Sequence, residues 1–207
     1  TTIKIITGVY GPDRGEIFFE GRKVHFSSPK ESRDVGIETV YQGAPLIELL
    51  SIYRNFFLGR EKLRSFGPFH LLDKKAMRAE CEASLKNIGI RVRTSEEPVV
   101  ILSGGERQSI SIGRCMHFGV KLLILDEPLN NLSLKETQVV LGHAQTVRDQ
   151  GVSVIFISHN IHQLYPIADR FVIIEEGKVI ENVEKKDTSL EQVIKIIAEG
   201  KYRASQL

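Results

Sequence analysis

Leu102-Ser103-Gly104-Gly105-Glu106-Arg107-Gln108 is the string in this sequence best suited by residue type and spacing to do chemistry. Two adjacent glycines let backbone N–H groups approach an anion closely, Ser103 adds a hydroxyl, and a helix starting here points its positive end at the ligand. A phosphate suits such a cradle. Ser-Gly-Gly also occurs as a plain turn before a helix, so the residues downstream of it decide between the two. Twenty-three residues after Ser103, the apolar run Leu122-Leu123-Ile124-Leu125 ends in Asp126-Glu127. Carboxylates released from the end of a buried strand offer hard oxygen to a divalent cation and a group that orients a nucleophile, which phosphoryl transfer requires.

These groups need a scaffold to hold them. Residues 120–125 and 152–157 are short apolar runs, each followed at once by polar residues, Asp126-Glu127 and Ser158-His159. That is the pattern of buried parallel strands with reactive loops at their carboxyl ends. Between them, Ser133-Leu134-Lys135-Glu136 has capping-box spacing for a helix start, and Gly151 is placed to end that helix. Upstream, residues 16–26 predict a hairpin turning at Gly21. Ser28-Pro29-Lys30-Glu31 then starts a short helix, and a strand comes next over 36–42. Residues 43–119 contain one clear helical pattern, Met77, Cys81, Leu85 and Ile88 closed by Gly89, but no buried strand; Ser65 to Phe69 reads as a surface loop. Beyond the second apolar run come a helix around Ile161, Leu164, Tyr165 and Ala168 and a hairpin over 171–183 turning at Glu176-Gly177. A last amphipathic helix is capped by Ser189 and Gln192 and ends at Gly200.

With these elements in place, the chain resembles the nucleotide-binding domains of ABC transporters, whose signature is Leu-Ser-Gly-Gly-x-x-Gln and whose Walker B strand is four apolar residues followed by Asp-Glu. Gly36-Ile37-Glu38-Thr39-Val40-Tyr41-Gln42, Phe57-Leu58-Gly59-Arg60-Glu61 and Lys4-Ile5-Ile6-Thr7-Gly8 are similar to the sugar-importer ATPases of the ribose, galactose and fructose type. The end of the chain looks like that of the single-domain fructose-type members. The resemblance implies an α/β fold: a P-loop NTPase (RecA-like) parallel-sheet core over 1–42 and 120–207, an inserted helical subdomain over 43–119 and a small antiparallel hairpin region, together one ATPase domain. It implies ATP and Mg²⁺ as cofactors. Asp126 then supports the Mg²⁺ sphere, Glu127 polarises the attacking water, and the amide oxygen of Gln42 approaches metal and water. His159 contacts the γ-phosphate, where an imidazole donates without obligatory charge. Ser103, Gly104, Gly105 and Gln108 contact nucleotide held by the opposite protomer of a head-to-tail dimer. The implied partners are integral-membrane sugar permease subunits, a second copy or paired ATPase domain and, indirectly, a periplasmic or lipid-anchored sugar-binding protein. The implied place is the cytoplasmic face of the inner membrane.

Several positions depart from the family pattern. Leu129 stands where Thr is usual, Asn130-Asn131-Leu132-Ser133 replaces Ser-Ala-Leu-Asp, and Gly113 occupies a helix interior where Ala is preferred by about 1 kcal/mol. The phosphate-binding loop Gly-x-x-x-x-Gly-Lys does not occur in the sequence, which begins at Thr1-Thr2-Ile3-Lys4, in the helix expected to follow that loop. The register there is one residue short, so either Thr1 or neither threonine is the Mg²⁺ ligand. ATP hydrolysis is expected of a protein that carries the loop and not of one that begins at Thr1. Two other functions fit the motifs, a non-hydrolysing paralogue with a binding role and an ABC ATPase that does not serve transport.

Composition narrows the partners. Twenty-eight basic against 26 acidic residues leave a formal net charge of +2, too small a field to imply nucleic acid. Cys81 and Cys115 lack the paired spacing of a zinc site and read as reduced core thiols, while the histidines other than His159 read as surface or packing groups. No run approaches the ~18 apolar residues of a membrane span, so a membrane role would be peripheral.

Overall fold

The computed structural model describes residues 1–43 and 46–204, which fall into two compact units divided between Ile157 and Ser158. In chain order the first unit runs α1 (Thr2–Ile6), β1 (Ile17–Phe19), β2 (Arg22–Val24), α2 (Pro29–Asp34), β3 (Ile37–Val40), α3 (Ile52–Phe56), β4 (Leu63–Phe66), β5 (Phe69–Leu72), α4 (Lys74–Asn87), a 3-10 turn (Val99–Ile101), α5 (Gly104–His117), β6 (Leu122–Asp126), α6 (Leu134–Asp149) and β7 (Ser153–Ile157). The second runs α7 (Ile161–Leu164), β8 (Arg170–Glu175), β9 (Lys178–Glu184), a 3-10 turn (Lys185–Asp187) and α8 (Leu190–Ala204).

β3, β6 and β7 form a parallel sheet in that order, with β6 in the middle. Val40 lies opposite Leu125, and Asp126 opposite Ile157. Leu123, Ile124 and Leu125 are fully buried, because β6 has a partner on both sides and an apolar layer over its face: Phe26, Ile37 and Ile124 pack with Ile3, Ile6, Val24 and Val35. β7 differs from the buried strand expected over 152–157. Among the described residues it pairs with β6 alone, and Ile155 keeps 36% of its surface exposed. An unbroken apolar run does not distinguish a strand with two neighbours from one with a single neighbour.

A second apolar cluster joins α3, α4 and α5 around Phe56, Phe57, Met77, Cys81, Leu85, Val99 and Ile110. The 77–81–85 spacing of α4 is buried as the sequence predicts. Gly113 acquires a reason here, since a Cβ at that point of α5 would sit 2.6 Å from Leu85 Cδ2. Close packing of α5 on α4 outweighs the lost helix propensity. Burial pushes the thiols of Cys81 and Cys115 up to about 12, as expected of inert core cysteines. His117 packs edge-on against Phe57 and Phe118, and burial lowers its pKa.

The surface loop expected at Ser65 to Phe69 is the turn of the β4–β5 hairpin. Its two strands are exposed throughout, so they lack the alternating burial by which a strand is recognised. In the second unit, Glu176 and Gly177 have φ of 47° and 76°, suited to a tight turn between β8 and β9. Tyr165 stacks on Phe171 with ring centroids 5.3 Å apart. The last helix is capped by Ser189 and Gln192 as expected but does not stop at Gly200; it continues to Ala204. A Cβ at Gly200 would collide with the side chains of Glu175 and Ile180, so this glycine allows the helix to approach the hairpin.

α1 ends in a hydrogen-bonded cap, with Gly8 N–H donating to Ile5 O and Val9 N–H to Lys4 O, and Gly8 at φ +71°. A Cβ there would stand 2.7 Å from both Phe26 Cβ and the carbonyl oxygen of Ser28. The left-handed backbone and the overlap add, so Gly8→Ala should destabilise the protein by about 2–5 kcal/mol in urea unfolding. A change within about 0.5 kcal/mol would show that α1 is not packed against residues 26–28 in this way.

Candidate functional site

The end of β6 holds a strained carboxylate. Asp126 closes the strand opposite Ile157, and the Glu127 N–H donates to Ile157 O at 3.0 Å, carrying the ladder one residue further. Glu127 itself has φ 48°. A glutamate in the left-handed region costs roughly 1–2 kcal/mol, and a residue before proline, here Pro128, ordinarily prefers extended backbone. The chain therefore turns sharply at the carboxylate for which the resemblance to ABC ATPases implies water activation. On the neighbouring strand Val40 is level with Leu125, so Tyr41 and the exposed Gln42 leave β3 beside Asp126 and Glu127 at the carboxyl end of the sheet. His159 stands two residues beyond the end of β7, in the second unit.

Asp126 and Gln42 bring hard oxygen to this end of the sheet, which suits Mg²⁺. Among the described residues no group of three or more acidic, His or Cys side chains is gathered as a complete metal cage. A cation here would complete its shell with phosphate oxygens and water, as Mg²⁺ usually does.

The signature segment lies at the start of α5. Ser103 caps the helix reciprocally: its hydroxyl accepts from Glu106 N–H at 3.3 Å, and Glu106 Oε2 accepts from Ser103 N–H at 2.8 Å. Ser133 and Glu136 repeat the arrangement on α6. The two helix starts are joined, because Glu136 Oε1 also accepts from the Gly105 N–H at 3.1 Å. The glycines permit this contact. A Cβ on Gly104 would lie 2.8 Å from Leu132 Cδ2, and one on Gly105 2.8 Å from Glu136 Cβ.

Glu136 was legible in the sequence only as a cap; its link to Gly105, 31 residues away, was not. The Ser133 N–H and hydroxyl, then the Gly105 N–H and the Ser103 hydroxyl, hold its pKa down at about 2. Gln108 lies one turn further along α5 and is only 3% exposed, with no hydrogen-bond partner for Nε2 among the described residues. The fold thus turns it inward rather than toward a ligand in solvent. Thr1 precedes α1, exposed and without a side-chain capping bond. A cleft of about 280 Å³ adjoins the Gln42 strand end, lined by Arg33, Glu38, Tyr41, Arg60, Ser111 and Arg114. Arg60 Nη2 and Glu38 Oε1 pair across it at 2.6 Å.

The family model described as ABC transporter matches residues 1–130. The chain belongs to the ABC transporter family. It is 40% identical over 197 residues to the xylose/arabinose import ATP-binding protein XylG of Sulfolobus acidocaldarius, covering 95% of this chain and 77% of that protein. It is 38% identical to the fructose import ATP-binding protein FrcA of Rhizobium meliloti, with 96% and 78% covered. The ribose import ATP-binding protein RbsA of Clostridium tetani is 35% identical, but the match spans only 38% of its length. Among solved structures, an ATP-binding cassette of an ABC transporter superposes with a TM-score of 0.80 at 19% identity, over 95% of this chain and 82% of that one. A dimeric post-hydrolysis cassette bound to ADP and phosphate gives 0.71 at 20%, over 90% and 80%. The fold is that of the ABC ATPase cassettes, a parallel-sheet α/β core with antiparallel hairpins.

Within this ABC cassette the Glu136 contact has a pH signature. A folded-state pKa of about 2 against an ordinary value of 4.5 gives stability that is fully present above about 4.5 and is lost as pH falls toward 2. Glu136→Gln should therefore melt below wild type at pH 6, and the gap should close between about pH 4.5 and 2. A gap of constant size across that range would show that the Glu136 charge does not hold the two helix starts together.

Proposed function

We propose that this chain is the ATP-binding and ATP-hydrolysing subunit of an importer for a monosaccharide, acting at the membrane through a permease. The observation that carries the reading is Asp126-Glu127 at the end of the central strand, with Glu127 held in a left-handed turn, in a family member whose relatives are named as sugar import ATP-binding proteins. The alternatives without hydrolysis or without transport have no such support.

In this reading ATP binds with Mg²⁺, which lowers the charge on the phosphates when present. Asp126 and the Gln42 amide oxygen are the groups that would hold it. Glu127 orients the attacking water, and its fixed backbone lowers the reorganisation needed at the moment of reaction. His159 donates to the terminal phosphate, and Thr1, at the start of α1, is the threonine available as a Mg²⁺ ligand. Ser103, Gly104 and Gly105 present hydroxyl and N–H donors to nucleotide held by a second protomer or paired domain. Gln108 supports that segment from inside.

Residues 43–119 form the helical subdomain, which moves as the dimer closes. The cleft beside Gln42 is walled both by residues at the end of β3 and by α5. A permease segment seated there would sense sheet and helices together. Such a subunit works on the cytoplasmic face of the membrane, and a sugar-binding protein on the other side delivers the cargo.

In the full-length protein, Glu127→Gln should leave ATP binding largely intact and lower turnover by about two orders of magnitude or more, the scale of losing a positioned catalytic group. Near-wild-type hydrolysis by that variant would remove Glu127 from the role.

A further inference from the structure

All eight residues of the β4–β5 hairpin are exposed, yet five of them are large and apolar. Phe66 and Phe69 keep 67% and 66% of their surface in solvent, and Leu63 and Leu71 are similarly bare. The register distributes them over both faces. Phe66 lies opposite Phe69 and Arg64 opposite Leu71 on one face, while Leu63 opposite Leu72 and Ser65 opposite His70 make the other. A docked protein covers one face of a ribbon. A lipid interface receives an apolar protrusion from every side, and this hairpin is apolar on both faces around its Gly67-Pro68 tip.

The charges around it agree. Residues 60–75 contain five basic groups, Arg60, Lys62, Arg64, Lys74 and Lys75, against Glu61 and Asp73, a more positive balance than the +2 of the whole chain. Arg60 and Lys62 are engaged by Glu38 and Glu80. Arg64, Lys74 and Lys75 form no ion pair among the described residues. Lys74 and Lys75 also occupy the first turn of α4, where the helix dipole disfavours positive charge, so nothing within the fold accounts for them. Phenylalanine and leucine beside unpaired basic groups are what an anionic bilayer surface binds, through shallow apolar insertion and headgroup contacts.

We propose that the β4–β5 hairpin is a membrane-contact element: Phe66 and Phe69 enter the interfacial layer of an anionic bilayer while Arg64, Lys74 and Lys75 lie on its headgroups. No helix among the described residues is long and apolar enough to span a membrane, so the contact is superficial. It goes beyond the ATPase reading and does not depend on it.

The chain contains no tryptophan, so Phe69→Trp supplies a single fluorescent reporter at the tip. With vesicles of mixed phosphatidylglycerol and phosphatidylcholine its emission should move to shorter wavelength and lose quenching by iodide; pure phosphatidylcholine should have little effect. Phe18→Trp, at a position 62% exposed on β1, should not respond to either vesicle. Combining Phe69→Trp with Arg64→Gln, Lys74→Gln and Lys75→Gln should weaken vesicle partition about fivefold per charge removed, with circular dichroism unchanged. The proposal fails if Phe69→Trp ignores anionic vesicles, if Phe18→Trp shifts as much, or if the triple charge change leaves partition unaltered. A shift produced only by a detergent-solubilised permease would assign the hairpin to a protein partner and overturn the lipid contact.

Discussion

One carboxylate links the two halves of the candidate chemistry in the first unit. Glu136 takes the Ser133 N–H and hydroxyl on its own helix and the Gly105 N–H on α5, so an anion sits where the positive ends of two helices converge. The consequences extend in both directions along the chain. Gly104 and Gly105 must lack side chains for the helix starts to meet, and Leu132 must lie against Gly104. The signature segment is thereby held to the loop that leaves Glu127. A phosphate that came to Ser103 and Gly105 would meet donors already engaged by a carboxylate, so its binding there would be an exchange of one anion for another.

The second constraint is the central strand. β6 is paired on both sides and buried through Leu123, Ile124 and Leu125, which leaves little freedom at Asp126. The backbone then takes a left-handed step at Glu127 and another at Asn131, φ 61°. Strain of this kind persists where surrounding structure over-determines it, here the Glu127 bond to Ile157 and the Ser133–Glu136 cap a few residues later. The result is a carboxylate on a fixed backbone at the carboxyl end of the central strand.

Much of this could be read from residue types. The Ser28, Ser133 and Ser189 helix starts came from local cap chemistry, and β6 and β7 from apolar runs released into polar residues, because each signal is complete within a few residues. What escaped depends on distant partners. The Gly105–Glu136 contact joins segments 31 residues apart, the pairing of β7 with β6 alone among the described residues depends on which strands adjoin it, and the inward placement of Gln108 depends on how α5 packs. The β4–β5 hairpin was hidden because it buries neither face. Asn130-Asn131-Leu132-Ser133, a departure from the family pattern as sequence, has physical reasons as structure: asparagine tolerates the left-handed backbone at 131, Leu132 packs on Gly104, and Ser133 caps α6.

In the proposed mechanism one nucleotide is served by Glu127 of one protomer and Ser103 of the other. Mixed dimers of the full-length protein test it most directly. Protomers carrying Ser103→Arg are combined with protomers carrying Glu127→Gln, and heterodimers are isolated through two different affinity tags. Each parent dimer has two defective sites, whereas the heterodimer has one site with both groups intact. About half the wild-type ATP turnover is expected in the heterodimer, far above either parent. Heterodimers as inactive as both parents would contradict that mechanism.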